Sequence, residues 1–408
     1  MVVSEKLKNK SVYFFGRLTV RYSALRASVK TQKKLNGYDM ASEDLSARRE
    51  FANRQKRLKS EIIREVTFDG VIDGARSIDI LPDARILARG YAPTDGAPLA
   101  AVWSPKADKL ETLAHYRSSI AENASSDNLS RSFFPWGGGF GCLDYDRVHV
   151  ISADFSRCLQ TYPIRNMDFL AEMEISQKDS FGRTPKPLSA MAVSDDLLLV
   201  TLSDRFRVRV GRFFAFLRRT GDRFAWVGAP VELNSPDVMA AWRDRAMGSS
   251  WLFIVDAFLG DGRLRTVTNG GQATHFNSGP AYETKLVIDY DIVGAQDNER
   301  NERNKRGFWQ RFRKPRAPEL CLKAVSEVPL GDLTCSRNMS YSVLKLYGLN
   351  KTLIYPPDLS APLGMLPLTP GMNLGPRTHD RVALAFDDET MLVGDKTGFN
   401  VCRILWED

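Results

Sequence analysis

Apolar and polar positions in this chain alternate with a two-residue period far more often than a helical one. A short signature recurs at uneven intervals: an apolar run, a turn carrying Asp or Gly, and a second apolar run. It occurs at Ile78 to Ala88, at Cys142-Leu143-Asp144 with Val148 to Ile151, and at Met191 to Asp196 with Leu197 to Leu202. It returns at Phe258 to Leu264 around Asp261-Gly262, and at Leu384 to Asp388 with Met391 to Val393. Each predicts a β-hairpin, because alternation places every second side chain on one face and the turn residue supplies the backbone freedom for a reversal.

Four short strands fit residues 76–115, with reversals at Pro82-Asp83, Thr94-Asp95-Gly96 and Lys106-Ala107-Asp108. Similar four-stranded units are expected at about 139–175, 188–233 and 251–292, and a last one over 381–406 with three recognisable strands. The stretch 318–357 holds one or two more, its best hairpin pairing Val343 to Tyr347 with Thr352 to Tyr355. Four antiparallel strands in some 40–50 residues is one blade of a β-propeller. Residues 67–408 have room for about seven, with six or eight as alternatives. The short last unit calls for a strand from the N-terminal side to close the ring, and residues 11–23 or 65–68 are the candidates.

Ahead of the strands the pattern differs. Residues 42–66 read as a helix: Ser42 is a cap, Glu43 and Asp44 occupy the first turn, and Phe51, Leu58, Ile62 and Val66 fall near one face. The net charge of +8 is unevenly placed. Residues 1–65 carry +9 and residues 299–316 carry +6, which leaves the remainder at −7. Basic character therefore resides in an N-terminal arm, 1–66, and in an insertion near 293–317, both attached to a mildly acidic body.

The spaced hairpins resemble the β-propeller superfamily in general, of the WD40-like or quinoprotein-like kind, over about 340 residues. The resemblance rests on pattern: the Trp-Asp and Gly-His pairs of WD40 repeats and the Asp-box of sialidase-like propellers are absent. It implies an all-β fold, a single propeller whose rigid surface and loops bind other proteins.

Five widely spaced cysteines without a C-x-x-C pair suit reduced thiols, and the N-terminus lacks a secretory pattern, so a cytoplasmic location is expected. No apolar run reaches the roughly 18 residues of a membrane span. The first expectation is a non-catalytic interaction scaffold whose basic appendages engage an acidic protein partner, with no cofactor and no metal. Its binding candidates are Arg306, Phe308, Trp309, Arg311, Phe312, Arg313 and Lys314 in the insertion, and Arg54 and Arg57 in the arm. Aromatic rings beside guanidinium groups also suit an anionic membrane surface or nucleic acid, which makes a peripheral membrane or nucleic-acid binder, acting through residues 300–316, an alternative. The other alternative is a hydrolase-type enzyme with a site over the propeller channel. His275, in a polar loop, with Asp256 or Asp289, is its catalytic candidate. The glycine run Trp136 to Gly141 lacks the Gly-Lys-Ser/Thr that a phosphate loop needs and reads as a turn entering a blade.

Overall fold

The computed structural model describes residues 49–112, 133–165, 185–203, 211–243, 252–268, 284–294, 317–367 and 383–406, apart from a few turn positions within them. The first strand, β1 (Lys59–Thr67), stands alone in sequence. It is followed among the described residues by six groups of four antiparallel strands, the second, third and fourth of which join edge to edge in one twelve-stranded sheet, with a parallel pairing between the second and third. The first unit holds β2 (Asp73–Ile80), β3 (Ile86–Tyr91), β4 (Pro98–Ser104) and β5 (Lys109–Thr112). The second holds β6 (Phe133–Trp136), β7 (Gly139–Leu143), β8 (Arg147–Ile151) and β9 (Cys158–Arg165). The third holds β10 (Pro187–Ala192), β11 (Leu197–Ser203), β12 (Gly211–Thr220) and β13 (Arg223–Glu232), and a short helix, α1 (Pro236–Arg243), follows it. The fourth holds β14 (Ile254–Gly260), β15 (Arg263–Thr268), β16 (Thr284–Val293) and β17 (Glu319–Pro329). The fifth holds β18 (Gly331–Cys335), β19 (Ser342–Leu346), β20 (Lys351–Tyr355) and β21 (Gly364–Pro367). The sixth holds β22 (Ala383–Asp387), β23 (Thr390–Gly394) and β24 (Gly398–Leu405), with β1 as its outer strand.

All five hairpins expected from the pattern form. At Asp261-Gly262 both turn residues have positive φ, 49° and 68°, the geometry that matches the right-handed twist of the flanking strands.

The middle strands explain why some runs are apolar throughout. Every residue of β11 is buried. Leu198, Val200 and Leu202 pack in the cluster shared with the second unit, whereas Leu197 and Leu199 pack in the cluster shared with the fourth. β12 divides its residues likewise, Phe213, Ala215 and Leu217 to one side and Phe214 and Phe216 to the other. A sheet sandwiched between two sheets has two apolar faces, so its central strands lose the alternation of a half-exposed strand.

The same logic runs around the whole set. Leu81, Leu87 and Val102 of the first unit and its approaches meet Phe140 and Ile151 of the second. The fourth and fifth units are joined by the buried Arg265 of β15, which donates to Ser342 Oγ and to the Pro357 carbonyl of the fifth, and Val343 and Ile354 of the fifth pack with Met391, Val393 and Ile404 of the sixth. Finally Leu392, Phe399 and Val401 of the sixth pack with Ile78, Ile86 and Trp103 of the first. The seams return to their starting point, which is the β-propeller arrangement.

Two expectations are corrected. The helix over 42–66 does not extend through its second half: residues 49–53 are helical, but Lys59–Thr67 is a strand paired along β24, from Lys59 opposite Leu405 to Thr67 opposite Gly398. The free edge of β24 offers a full ladder of hydrogen bonds, and the β-branched Ile62, Ile63, Val66 and Thr67 accept it. This strand overlaps the ring-closing candidate at 65–68; the other candidate, 11–23, lies outside the described residues. The second correction is a shift by one strand: the second unit begins at Phe133, not at Gly139. The strand expected near 168–175 lies outside the described residues.

Candidate functional site

Two regions gather charged side chains whose sequence spacing gives little hint of their meeting. The first is the seam between the fourth and fifth units. On β15, Arg265 stands opposite Asp289 of β16. Its Nε donates to Asp289 Oδ1 at 2.8 Å and its Nη2 to Asp289 Oδ2 at 2.6 Å, a two-pronged pair with both carboxylate oxygens engaged. Nη1 donates to Ser342 Oγ of the next unit at 2.7 Å, and Nη2 also donates to the carbonyl of Pro357. The Arg265 side chain is 1% exposed. Burial works against its charge, but the hydrogen bond and charge of Asp289 outweigh burial, so its pKa lies above the ordinary value. Cys335 closes the group, its Sγ lying 3.3 Å from Ser342 Oγ. Burial pushes the Cys335 thiol up to about 11, which keeps it protonated at neutral pH.

This geometry gives Asp289 a partner in the sheet itself. The other carboxylate candidate, Asp256, sits exposed on β14 opposite Val267, and its Oδ1 accepts from the Ala257 amide at 2.9 Å. His275 lies outside the described residues. No group of three or more His, Cys, Asp or Glu side chains is placed to hold a metal ion among the described residues. None of the five cysteines forms a disulfide.

A second arginine is engaged at another seam. Arg219 stacks over Trp136 and Tyr162, 5.7 and 5.5 Å from the ring centroids, and donates to the Tyr162 hydroxyl at 3.1 Å. It thereby ties the third unit to the second.

The second region is the segment 49–67, a strap on the outside of the fifth and sixth units. Leu58 N donates to Met365 O at 2.9 Å and Met365 N to Lys56 O at 2.7 Å, so Arg57 bridges β21 before the chain crosses to β24. Gly364 is required there, because a side chain at that position would run into Leu58. Toward the first unit, Arg64 forms an ion pair with Asp108, its Nε donating to Oδ1 at 2.8 Å. Glu61 pairs with Arg403 of β24 at 3.0 Å, and Arg54 with Glu50 one turn away. One strap thus touches three units.

Of the binding candidates, Arg54 and Arg57 are exposed on this strap. Arg306, Phe308, Trp309, Arg311, Phe312, Arg313 and Lys314 lie outside the described residues; the strands that flank them are β16 and β17, whose ends meet at Val293 opposite Glu319. Sequence reasoning passed over Arg265, Leu363, Leu405 and Trp406. The signal for Arg265 was its place in a strand whose neighbour carries Asp289-Tyr290-Asp291; a buried cation needs a carboxylate in register.

No protein-family model matches the chain, and no curated protein matches it. Among solved structures it is similar to the β-propeller domain of Cps50 (Swd1) from Myceliophteria thermophila, with 9% identity over 85% of this chain and 100% of that one, and a TM-score of 0.40. It is also similar to the WD40 domain of coronin from Toxoplasma gondii, with 11% identity over 87% and 88% of the two chains and a TM-score of 0.38. Hsv2 from Kluyvelomyces marxianus aligns at 6% identity over 85% and 74%, with a TM-score of 0.35. The β-propeller arrangement of this chain rests on its own cyclic seams.

Proposed function

We propose that this chain is a protein-interaction scaffold: a six-bladed ring that holds a fixed outer surface toward a partner, with basic appendages that favour an acidic one. The observation behind this reading is where exposed apolar surface collects. Seven large apolar side chains stand exposed among the described residues. Six of them are on or beside the strap: Phe51, Ile62 and Ile63 within it, Leu405 and Trp406 at the end of the strand it pairs with, and Leu363 two residues before its bridge partner Met365. Exposed apolar residues gathered along one segment and the strands it borders favour an interaction site there, whereas a singly exposed residue carries no such meaning. Closure by seams on every side makes the surface rigid, which lowers the ordering cost of binding.

A photo-crosslinking residue placed at position 62 or 406 in cells is expected to capture discrete protein adducts. The same residue at position 159, the isolated exposed leucine of β9, is the control. Equal labelling from all three positions, or none from 62 and 406, overturns the scaffold reading.

A further inference from the structure

We infer that the turn end of β12 and β13, with the end of β9 beside it, carries a binding site for a phosphate group built by Arg165, Arg218 and Arg223. The inference is independent of the scaffold reading. Strand register brings the three residues together. Arg218 of β12 stands opposite Ala225 of β13, and Ala225 in turn stands beside Arg165 of β9 in the parallel pairing of the third and second units. Arg223 lies two residues before Ala225 and opposes Thr220. Alternation then fixes their face. Leu217, Phe224, Trp226 and Ile164 pack toward the second unit, whereas Phe216 and Val227 pack toward the fourth. Arg218, Arg223, Ala225 and Arg165 take the alternate positions, so all four share the face turned toward the fourth unit. Arg218 and Arg165 are two strand spacings apart, about 10 Å, with only the methyl of Ala225 between them.

The three side chains have their donors free. Among the described residues none of them forms an ion pair or a hydrogen bond. Other arginines of this region are engaged: Arg212 pairs with Glu232 at 2.6 Å, and Arg219, on the opposite face, donates to Tyr162. Arg218 is half-buried like them, yet its Nε is enclosed without an acceptor, while neither Nη is enclosed. A partly desolvated guanidinium without an acceptor is costly, and an anion at its open nitrogens offsets that cost. The carboxylates nearby do not serve. Asp146 pairs with Arg147, and Asp196 accepts from Ser194 Oγ at 2.7 Å. Asp195 and Asp222 stand exposed in the two turns beyond the strand ends. On the fourth unit, Tyr290, Ile292 and Leu320 pack toward the third, and Asp289 and Asp291 take the alternate positions, where they pair with Arg265 and Lys323. A carboxylate is satisfied by one guanidinium in a two-pronged pair, as Asp289 is by Arg265. Three guanidinium groups arriving from three strands suit an anion with oxygens in several directions and more than one charge, which is a phosphate monoester.

The test is calorimetric titration of the full chain with inorganic pyrophosphate at constant ionic strength. One saturable site per chain is expected. Arg165→Gln and Arg223→Gln should each weaken it about tenfold or more, the effect of losing a hydrogen bond between charged groups. Arg165→Lys should weaken it less, and Arg157→Gln, in an exposed turn, should leave it unchanged. Sulfate should displace pyrophosphate, and acetate at the same ionic strength should not. Arg165 is exposed, so its variants keep the test valid even if changes at Arg218 or Arg223 lower the melting temperature. No saturable binding, affinity indifferent to Arg165→Gln and Arg223→Gln, or equal displacement by acetate overturns the inference. Vesicles identify the source of the phosphate. Sedimentation with phosphatidic acid but not with phosphatidylglycerol, lost in Arg165→Gln, upholds the site and assigns it to a lipid headgroup. Pyrophosphate binding without sedimentation upholds it and assigns it to a soluble phosphate compound.

Discussion

Arg265 and Arg57 bear the same guanidinium in opposite surroundings. Arg265 is enclosed between two sheets, with Asp289, Ser342 and the Pro357 carbonyl around it. Arg57 lies exposed on the strap, where its backbone bridges Met365. The difference teaches that in this ring a charge inside a seam must be matched by partners from the sheets around it, whereas a charge outside is solvated whether or not it is paired. A buried guanidinium without its carboxylate is costly, whereas an exposed one is solvated by water at little cost.

The largest effect is expected from breaking one side of the buried pair. Asp289→Ala should destabilise the chain by about 3–5 kcal/mol, because it strands the Arg265 charge inside the seam. Arg265→Met with Asp289→Leu removes both charges and should recover most of that loss. Chemical denaturation of the single and double variants reads this directly. If the double variant is as unstable as the single, Arg265 is held by its other partners more than by Asp289, and the comparison with Arg57 loses its basis.

Next in size is an alkaline effect to which the seam contributes. Burial raises the Cys335 thiol from its ordinary 9.0 to about 11, so the folded chain holds this proton more tightly than the unfolded chain does. Stability from this group is complete below about pH 9 and is lost as pH rises toward 11, for a total of about 2–3 kcal/mol. Thermal midpoints measured from pH 8 to 11 should therefore fall, and Cys335→Ala should lessen the fall without removing it, because burial pushes the Cys402 thiol up to about 11 as well. No comparable slope is expected from Arg57→Ala, since that residue is exposed and no buried group loses a partner.

The five hairpins were legible because local pattern dictates them: turn residues sit between short apolar runs, and Asp261-Gly262 adopts the positive φ values its composition suggests. The strap was not legible. Leu58, Ile62 and Val66 have helical spacing, and only an edge presented by β24, more than 330 residues away, makes that stretch a strand. The boundary of the second unit was missed for a related reason. Phe133–Trp136 is four residues long, too short to show a period, and it is held by pairing with β7 and by packing of Phe134 and Trp136 against the third unit. The seam pair was half legible: Asp289 was named as a candidate carboxylate, but for a site with His275 over the channel, and its partner Arg265 was visible only once β15 and β16 were in register. What depends on neighbours in sequence can be read from sequence, and what depends on a distant edge or face cannot.

The smallest effect concerns the strap's own ion pairs, and it sharpens the comparison from the exposed side. Glu61 and Arg403 are half-exposed at 50% and 55%, and Arg64 and Asp108 at 48% and 44%. Pairs in such surroundings contribute about 0–1 kcal/mol and are screened by salt. Glu61→Gln and Asp108→Asn should each cost no more than that in low salt and nothing measurable in 0.5 M sodium chloride, whereas the Asp289→Ala loss should persist in both.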